Sequence, residues 1–172
     1  YDHLVCRNCL YAMIESVDQS LGSIVQKLEE LNLSDNTIII FTSDNGGHGK
    51  WTSNYPFRGN KGNFYEGGIR VPLIIKWSNK IKSSLILEDI VIGNDFYPTI
   101  LEMAELTFIP KQHIDGVSLW PLLKSGKKIK RKKLFWHFPN YIGAGHPGRA
   151  KPSSVIRKGK WKLIENLENG EV

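Results

Sequence analysis

Cysteine is nearly absent from this chain. It carries two, Cys6 and Cys9, in a single C-x-x-C with no second pair to complete a zinc site and no thioredoxin-like surroundings. A disulfide framework is therefore excluded, and the pair reads either as two incidental helix cysteines or, in an oxidising compartment, as one local disulfide. Also missing is an apolar run long enough to cross a bilayer as a helix. The first residues, 1–9, hold neither a Met nor a basic-then-apolar leader and run straight into a helical pattern. The last residues, Gly170-Glu171-Val172, resemble a turn into a strand that does not follow. A length of 172 residues suggests one compact domain, whereas these ends set the expectation that the chain is a piece of a larger protein.

Charge is uneven. Lysine and arginine number 23 against 17 acidic residues, a net of +6, and the excess sits in one run from Lys124 to Lys133. That run reads as a linker and a solvated surface loop, or as a patch that draws in a polyanion by an attraction that salt weakens. It lacks the interleaved aromatics of a nucleic-acid platform, so no nucleic-acid partner is expected.

The patterning is that of an α/β chain. Leu10, Ile14, Val17, Leu21, Ile24, Leu28 and Leu31 alternate steps of four and three along one stripe, widened by Met13 and Val25, which predicts an amphipathic helix packed on a sheet and stopped near Asn32. Thr37 to Thr42 is a continuous β-branched run too short for a helix, suited to a parallel strand covered on both faces. Leu73 to Trp77 reads as the next buried strand, and Asp89 to Gly93 as a further short apolar run in the same alternation. A helix is expected from Asn94, with Asn94 as its cap and Pro98 in its first turns. After the basic run, Leu134–Phe138, Ser153–Arg157 and Trp161–Glu165 read as short strands, the last two joined by a turn at Lys158-Gly159-Lys160.

The chemistry is concentrated between Thr37 and Pro72. The first strand ends in Ser43-Asp44-Asn45-Gly46-Gly47-His48-Gly49, at the position where open α/β sheets bind ligands. Asp44 and Asn45 offer adjacent hard oxygen donors, and the glycines let the chain turn away, so the pair reads as a Ca²⁺ or Mg²⁺ half-site or as an ordinary Asx turn. Arg58-Gly59-Asn60-Lys61-Gly62 gathers two cations and two glycines, a composition suited to an anion. Glu66-Gly67-Gly68-Ile69-Arg70-Val71-Pro72 then leads into the following strand.

The ordered combination of SDNGG, RGNKG and YEGGIRVP resembles the second half of the catalytic domain of the sulfatases, in the alkaline-phosphatase-like superfamily. The resemblance implies an alkaline-phosphatase-like α/β sheet covered by helices, in part, over residues 1–123, a basic linker over 124–133, and the start of a C-terminal antiparallel subdomain over 134–172. It implies a sulfuric ester hydrolase in which Asp44 and Asn45 are metal ligands for Ca²⁺, with Mg²⁺ as the alternative, and Lys61 contacts the sulfate. Fixed cations beside a metal suit charge on transferring oxygens. His48 is a second catalytic candidate, and Arg58 and His137 are candidates for substrate contact. Arg58 and Arg70 would otherwise pair with a carboxylate such as Glu66, which reads as a residue that orders its loop.

One departure stands out. Sulfatases attack with a formylglycine made from the Cys or Ser of a C/S-x-P/A-x-R motif, and no Cys or Ser here begins one, so the nucleophile is expected upstream. The implied substrates are sulfated small molecules or sulfated glycans, and the implied location is the periplasm or the exterior. Two alternatives stay open: a phosphate or phosphonate ester hydrolase of the same superfamily, and a non-catalytic module that binds anionic glycans through Lys124–Lys133.

Overall fold

Residues 2–112, 114–141 and 151–172 are described by the computed structural model, with side chains from residue 8 onward. Cys6 therefore lies outside the described side chains, while Cys9 is a free, exposed thiol. The chain divides into two compact units, Tyr1–Ile75 with Lys133–Val172, and Lys76–Lys132.

In the first unit, helix α1 runs over Asp2–Glu30, longer at its start than the apolar stripe indicates. It stops where expected. Asn32 takes a left-handed φ of 54°, the Asn32 N–H donates to the Glu29 carbonyl and the Leu33 N–H to that of Leu28. These are the paired bonds of a Schellman motif, and Asn is one of the few residues that accept that backbone at small cost. The expected packing of the stripe on a sheet is corrected: Ile14, Val17, Ile24 and Leu31 are each more than half exposed, and no described element covers them. Periodicity shows that a face is apolar without showing what lies against it.

Strand β1 (Ile39–Thr42) begins two residues later than expected, because a 3₁₀ turn occupies Ser34–Asn36 and the Thr37 hydroxyl donates back to the Leu33 carbonyl at 2.8 Å. It pairs with β2 (Leu73–Lys76) in a two-stranded sheet. Burial on both faces is also corrected, since residues 39–41 are half-buried and Thr42 is exposed. Between the strands the chain adds one short helix that the sequence does not announce, α2 (Glu66–Ile69), whose Gly67 and Gly68 are buried.

The same unit contains the antiparallel sheet β3–β4–β5, formed by Leu134–Phe138, Ser153–Lys158 and Trp161–Asn166. All three strands lie where the alternation places them. The β4–β5 turn closes through Gly159 at a φ of 56°, a value that suits glycine. Leu134 and Val155 are the buried apolar side chains of this layer.

The second unit is built around a buried carboxylate. Helix α3 spans Phe96–Met103, preceded by a 3₁₀ turn over Gly93–Asp95, so Asn94 is not its cap. Asn94 is exposed, whereas Asp95 is fully buried and accepts the N–H groups of Ile92 and Val117, each at 2.9 Å. The expected strand-like run at 89–93 is likewise corrected: its polar backbone is claimed by side chains, the Ile92 N–H by Asp95 and the Ile90 carbonyl by Arg131. Helix α4 (Trp120–Ser125) ends in the left-handed Gly126, φ 71°. Thr99 ties the two helices together, donating to the Asp95 carbonyl at 2.5 Å and accepting the Leu119 N–H at 2.8 Å. Met103, Leu119 and Leu122 form the small core, and Trp77 packs against Trp120 with the rings tilted by 39° and their centroids 5.4 Å apart.

Arg131, read from sequence as one cation of a solvated run, is not solvated. Its guanidinium forks onto both Asp95 oxygens at 2.7 and 2.8 Å, with only 12% of the side chain exposed. Among the described residues no helix is long and apolar enough to cross a membrane.

Candidate active site

Strand β1 delivers Ser43 and Asp44 at its carboxyl end, and the chain then turns under the control of local bonds. The Asn45 N–H donates to Asp44 Oδ1 at 2.9 Å, and the Ser43 hydroxyl to the Asn45 carbonyl at 3.0 Å. This bond reaches only the next residue, not the second as in an Asx turn, and the Gly46 N–H goes to Gly68 instead, so the Asx-turn reading is not what forms here. The second Asp44 oxygen and the Asn45 side-chain amide have no hydrogen-bond partner among the described residues. The local bond engages one carboxylate oxygen and leaves hard donors open for a cation half-site. No group of three or more His, Cys, Asp or Glu able to hold a metal occurs among the described residues. The pair supplies two donors of the six to eight that Ca²⁺ takes, and the donor chemistry fits that ion.

Three contiguous loops meet at the glycines. The Gly46 N–H donates to the Gly68 carbonyl at 2.9 Å, the Lys61 N–H to that of Gly47 at 3.0 Å and the Gly67 N–H to that of Arg58 at 2.8 Å. Asn54 closes the arrangement with its side chain, accepting the Gly47 N–H and donating to the carbonyls of Gly47 and Gly59. The glycines are required by proximity: a Cβ on Gly46 would stand 1.8 Å from the Gly67 carbonyl oxygen, and one on Gly67 would stand 2.2 Å from that of Gly59. The SDNGG, RGNKG and EGGIR segments, separate in the chain, are one packed cluster.

The candidate side chains divide around this cluster. Lys61 is exposed, and its ammonium has no ion-pair or hydrogen-bond partner among the described residues, so a free cation stands on the loop that carries the RGNKG glycines. His48 is half-buried; its Nδ1 accepts the Lys50 N–H at 3.2 Å and its ring stacks on Trp51, which leaves Nε2 for any outside contact. Arg58 lies over the Tyr65 ring at 4.0 Å and Arg70 over Phe57 at 4.7 Å. His137 is on β3 with Nδ1 2.9 Å from the Ser154 hydroxyl; no bond joins it to the 44–62 loops among the described residues.

Glu66 has the densest electrostatics of the first unit. Its carboxylate receives Lys162 at 2.5 Å and Arg157 at 3.1 Å, with Arg70 at 3.9 Å. Burial pushes the carboxyl up, but the hydrogen bond and charge of Lys162 and the charge of Arg157 outweigh it and hold Glu66 below the ordinary carboxylate range. Arg157 and Lys162 are the residues that sequence reasoning missed. They lie more than ninety positions downstream in strands, and nothing local marks them.

The Sulfatase family model matches residues 6–106, and that of the N-sulphoglucosamine sulphohydrolase C-terminal family matches residues 58–172. The chain belongs to the sulfatase family. A sulfatase of Formosa agariphila is 39% identical over 158 residues, 84% of this chain and 28% of its own length. The human steryl-sulfatase is 33% identical, over 76% of this chain and 24% of its own. Among solved structures, Ps i-CgsB in complex with k-i-k-neocarrahexaose superposes with a TM-score of 0.76 at 28% identity, covering 91% of this chain and 34% of that one. A protein solved with its substrate D-glucosamine-2-N,6-O-disulfate superposes with a TM-score of 0.74 at 30% identity, over 91% and 30%. The sulfatase chain described here therefore spans about a quarter of the curated relatives' length. The expected fold class, mixed α/β with a small antiparallel sheet, holds.

Proposed function

We propose that this chain is the metal- and sulfate-contacting part of a sulfuric ester hydrolase of the arylsulfatase or glycan-sulfatase type. The reading is carried by the packed cluster of loops, in which the open oxygens of Asp44 and Asn45 and the free ammonium of Lys61 stand on segments fastened through Gly47. Asp44 and Asn45 would hold Ca²⁺, which when bound supplies the positive charge that polarises sulfate oxygens. Lys61 binds a sulfate oxygen and offsets the negative charge that grows on the group as it is transferred. His48 presents Nε2 toward the leaving group, and Arg58 and His137 border the substrate. The nucleophile, a formylglycine, is supplied from outside these residues. Residues 1–123 belong to the catalytic domain, 124–133 link it onward and 134–172 open the C-terminal subdomain. A sulfated glycan is the favoured substrate class, given the carbohydrate ligands of the structural relatives, met in the periplasm or outside the cell.

The test uses the full-length enzyme and a chromogenic aryl sulfate. Asp44→Ala weakens both calcium binding and turnover, and excess calcium recovers part of the loss. Lys61→Ala costs on the order of a hundredfold or more in turnover without calcium rescue, by the measure of a deleted oxyanion donor. Lys61→Arg recovers a fraction, because a planar fork does not occupy the position of a compact ammonium. Equal calcium rescue of both alanine variants, or full activity in either, overturns the assignment.

A further inference from the structure

We propose that Glu66, Arg157 and Lys162 form a clamp through which the β4–β5 strands hold the 44–47 and 58–62 loops in register, making Glu66 a positioning residue for the sulfate site; the proposal rests on the sulfatase reading above.

The two cations make the case first. Arg157 and Lys162 are direct cross-strand partners in the β4–β5 register, and their side chains are only 23% and 14% exposed. Like charges directly opposite on a sheet destabilise it, and partial burial removes the water that would screen them. Such a pair is held by an anion between its members, and Glu66 is that anion: Lys162 Nζ meets one oxygen at 2.5 Å and Arg157 Nη1 reaches both, at 3.2 and 3.1 Å. Lys162 also donates to the Phe64 carbonyl at 2.9 Å, so one ammonium grips both the side chain of residue 66 and the main chain two residues before it.

What the clamp holds is the entry to the glycine cluster. Directly after Glu66 come Gly67, whose N–H is bonded to the Arg58 carbonyl, and Gly68, whose carbonyl takes the Gly46 N–H. These approaches have no slack, since Gly46 and Gly67 leave no room for a methyl group. A shift of residue 66 therefore passes within two residues to the loop bearing Asp44 and Asn45 and to the loop bearing Lys61. With three cations around it, Glu66 is spent on ion pairing and takes no part in proton transfer. Its work is to fix where the metal ligands and the lysine stand, which matters because catalytic groups lose much of their effect when displaced by about an ångström.

The decisive experiment compares Glu66→Gln and Lys162→Met in the full-length enzyme by hydrogen exchange, calcium titration and steady-state kinetics. Both variants are expected to exchange faster in peptides covering 43–49 and 58–63 while peptides covering 96–103 stay unchanged, to need more calcium for half-maximal activity, and to lose on the order of tenfold in turnover, as expected when charge-assisted bonds are removed. The swap Glu66→Lys with Lys162→Glu restores calcium half-saturation toward the wild-type value. Lys162→Met keeps Arg157 on the carboxylate, so it carries the same readouts if Glu66→Gln fails to fold. A lowered melting temperature with unchanged exchange at 43–49, unchanged calcium half-saturation and unchanged turnover overturns the proposal by reducing the clamp to a structural staple. Faster exchange at 43–49 together with an Asp44→Ala variant indifferent to calcium sustains the clamp and overturns the assignment of Asp44 and Asn45 as calcium ligands instead.

Discussion

Replacing Arg131 by methionine isolates the electrostatics of the second unit. Asp95 has no exposed surface, and its oxygens receive two backbone N–H groups and two guanidinium bonds. Methionine fills much of the same volume but leaves a buried carboxylate with two neutral donors and no counter-charge. Removing one partner of a buried ion pair costs about 3–5 kcal/mol, because the remaining charge must stay desolvated or the surrounding structure must open to hydrate it. For a chain of this size each kcal/mol moves the melting temperature by about 2–4 °C, so a fall of about 6–20 °C is expected. Thermal and urea unfolding at pH 7 measure it, with Lys130→Met as a control; Lys130 is exposed, and its loss is expected to stay within about 0.5 kcal/mol. Arg131→Lys should fall between, since an ammonium cannot span both oxygens and the Ile90 carbonyl together. An Arg131→Met variant within about 1 kcal/mol of wild type would refute the reasoning, because a charge so enclosed cannot lose its partner at the cost of a surface pair.

Gly46→Ala should separate the 44–47 loop from Gly67, because the obstacle at 1.8 Å is a backbone oxygen rather than a side chain that can rotate; the full-length enzyme is expected to show reduced turnover and a higher calcium requirement, and unaltered kinetics would show that the loops have slack. The Glu66 clamp predicts a pH dependence. Its folded-state pKa lies below the ordinary value of 4.5, so its stabilisation is complete above that value and is lost as pH falls through the lower folded-state pKa. The melting-temperature difference between wild type and Glu66→Gln should thus be full at pH 7 and shrink below about pH 4.5; a difference that grows on acidification would reverse the sign of the argument.

What was legible in the sequence follows from where each interaction lives. The SDNGG, RGNKG and EGGIR segments announce themselves because their chemistry is local: glycines where backbones touch, donors and cations beside them. The three C-terminal strands are equally plain from alternation. The clamp was illegible, since Arg157 and Lys162 read as ordinary strand cations until the fold sets them against Glu66. The start of α3 was misplaced for the same reason. Asn94 is a good cap by type, but Asp95 is fixed by Val117 and Arg131, contacts that no window around position 94 contains. For α1, the 3.6-residue period identifies an apolar face and is silent about its partner.

The Asn54 side chain has a consequence for how such an enzyme can diversify. By bonding Gly47 and Gly59 it staples the two feet of the excursion that carries His48, Trp51 and the almost fully exposed Tyr55. With the feet tied, the tip can be lengthened, shortened or rewritten at an entropic cost that grows only slowly with loop length, and the loops on either side keep their places. On the site reading proposed above, the excursion is an exchangeable cassette, in which new recognition could be inserted while Asp44, Asn45 and Lys61 keep their places.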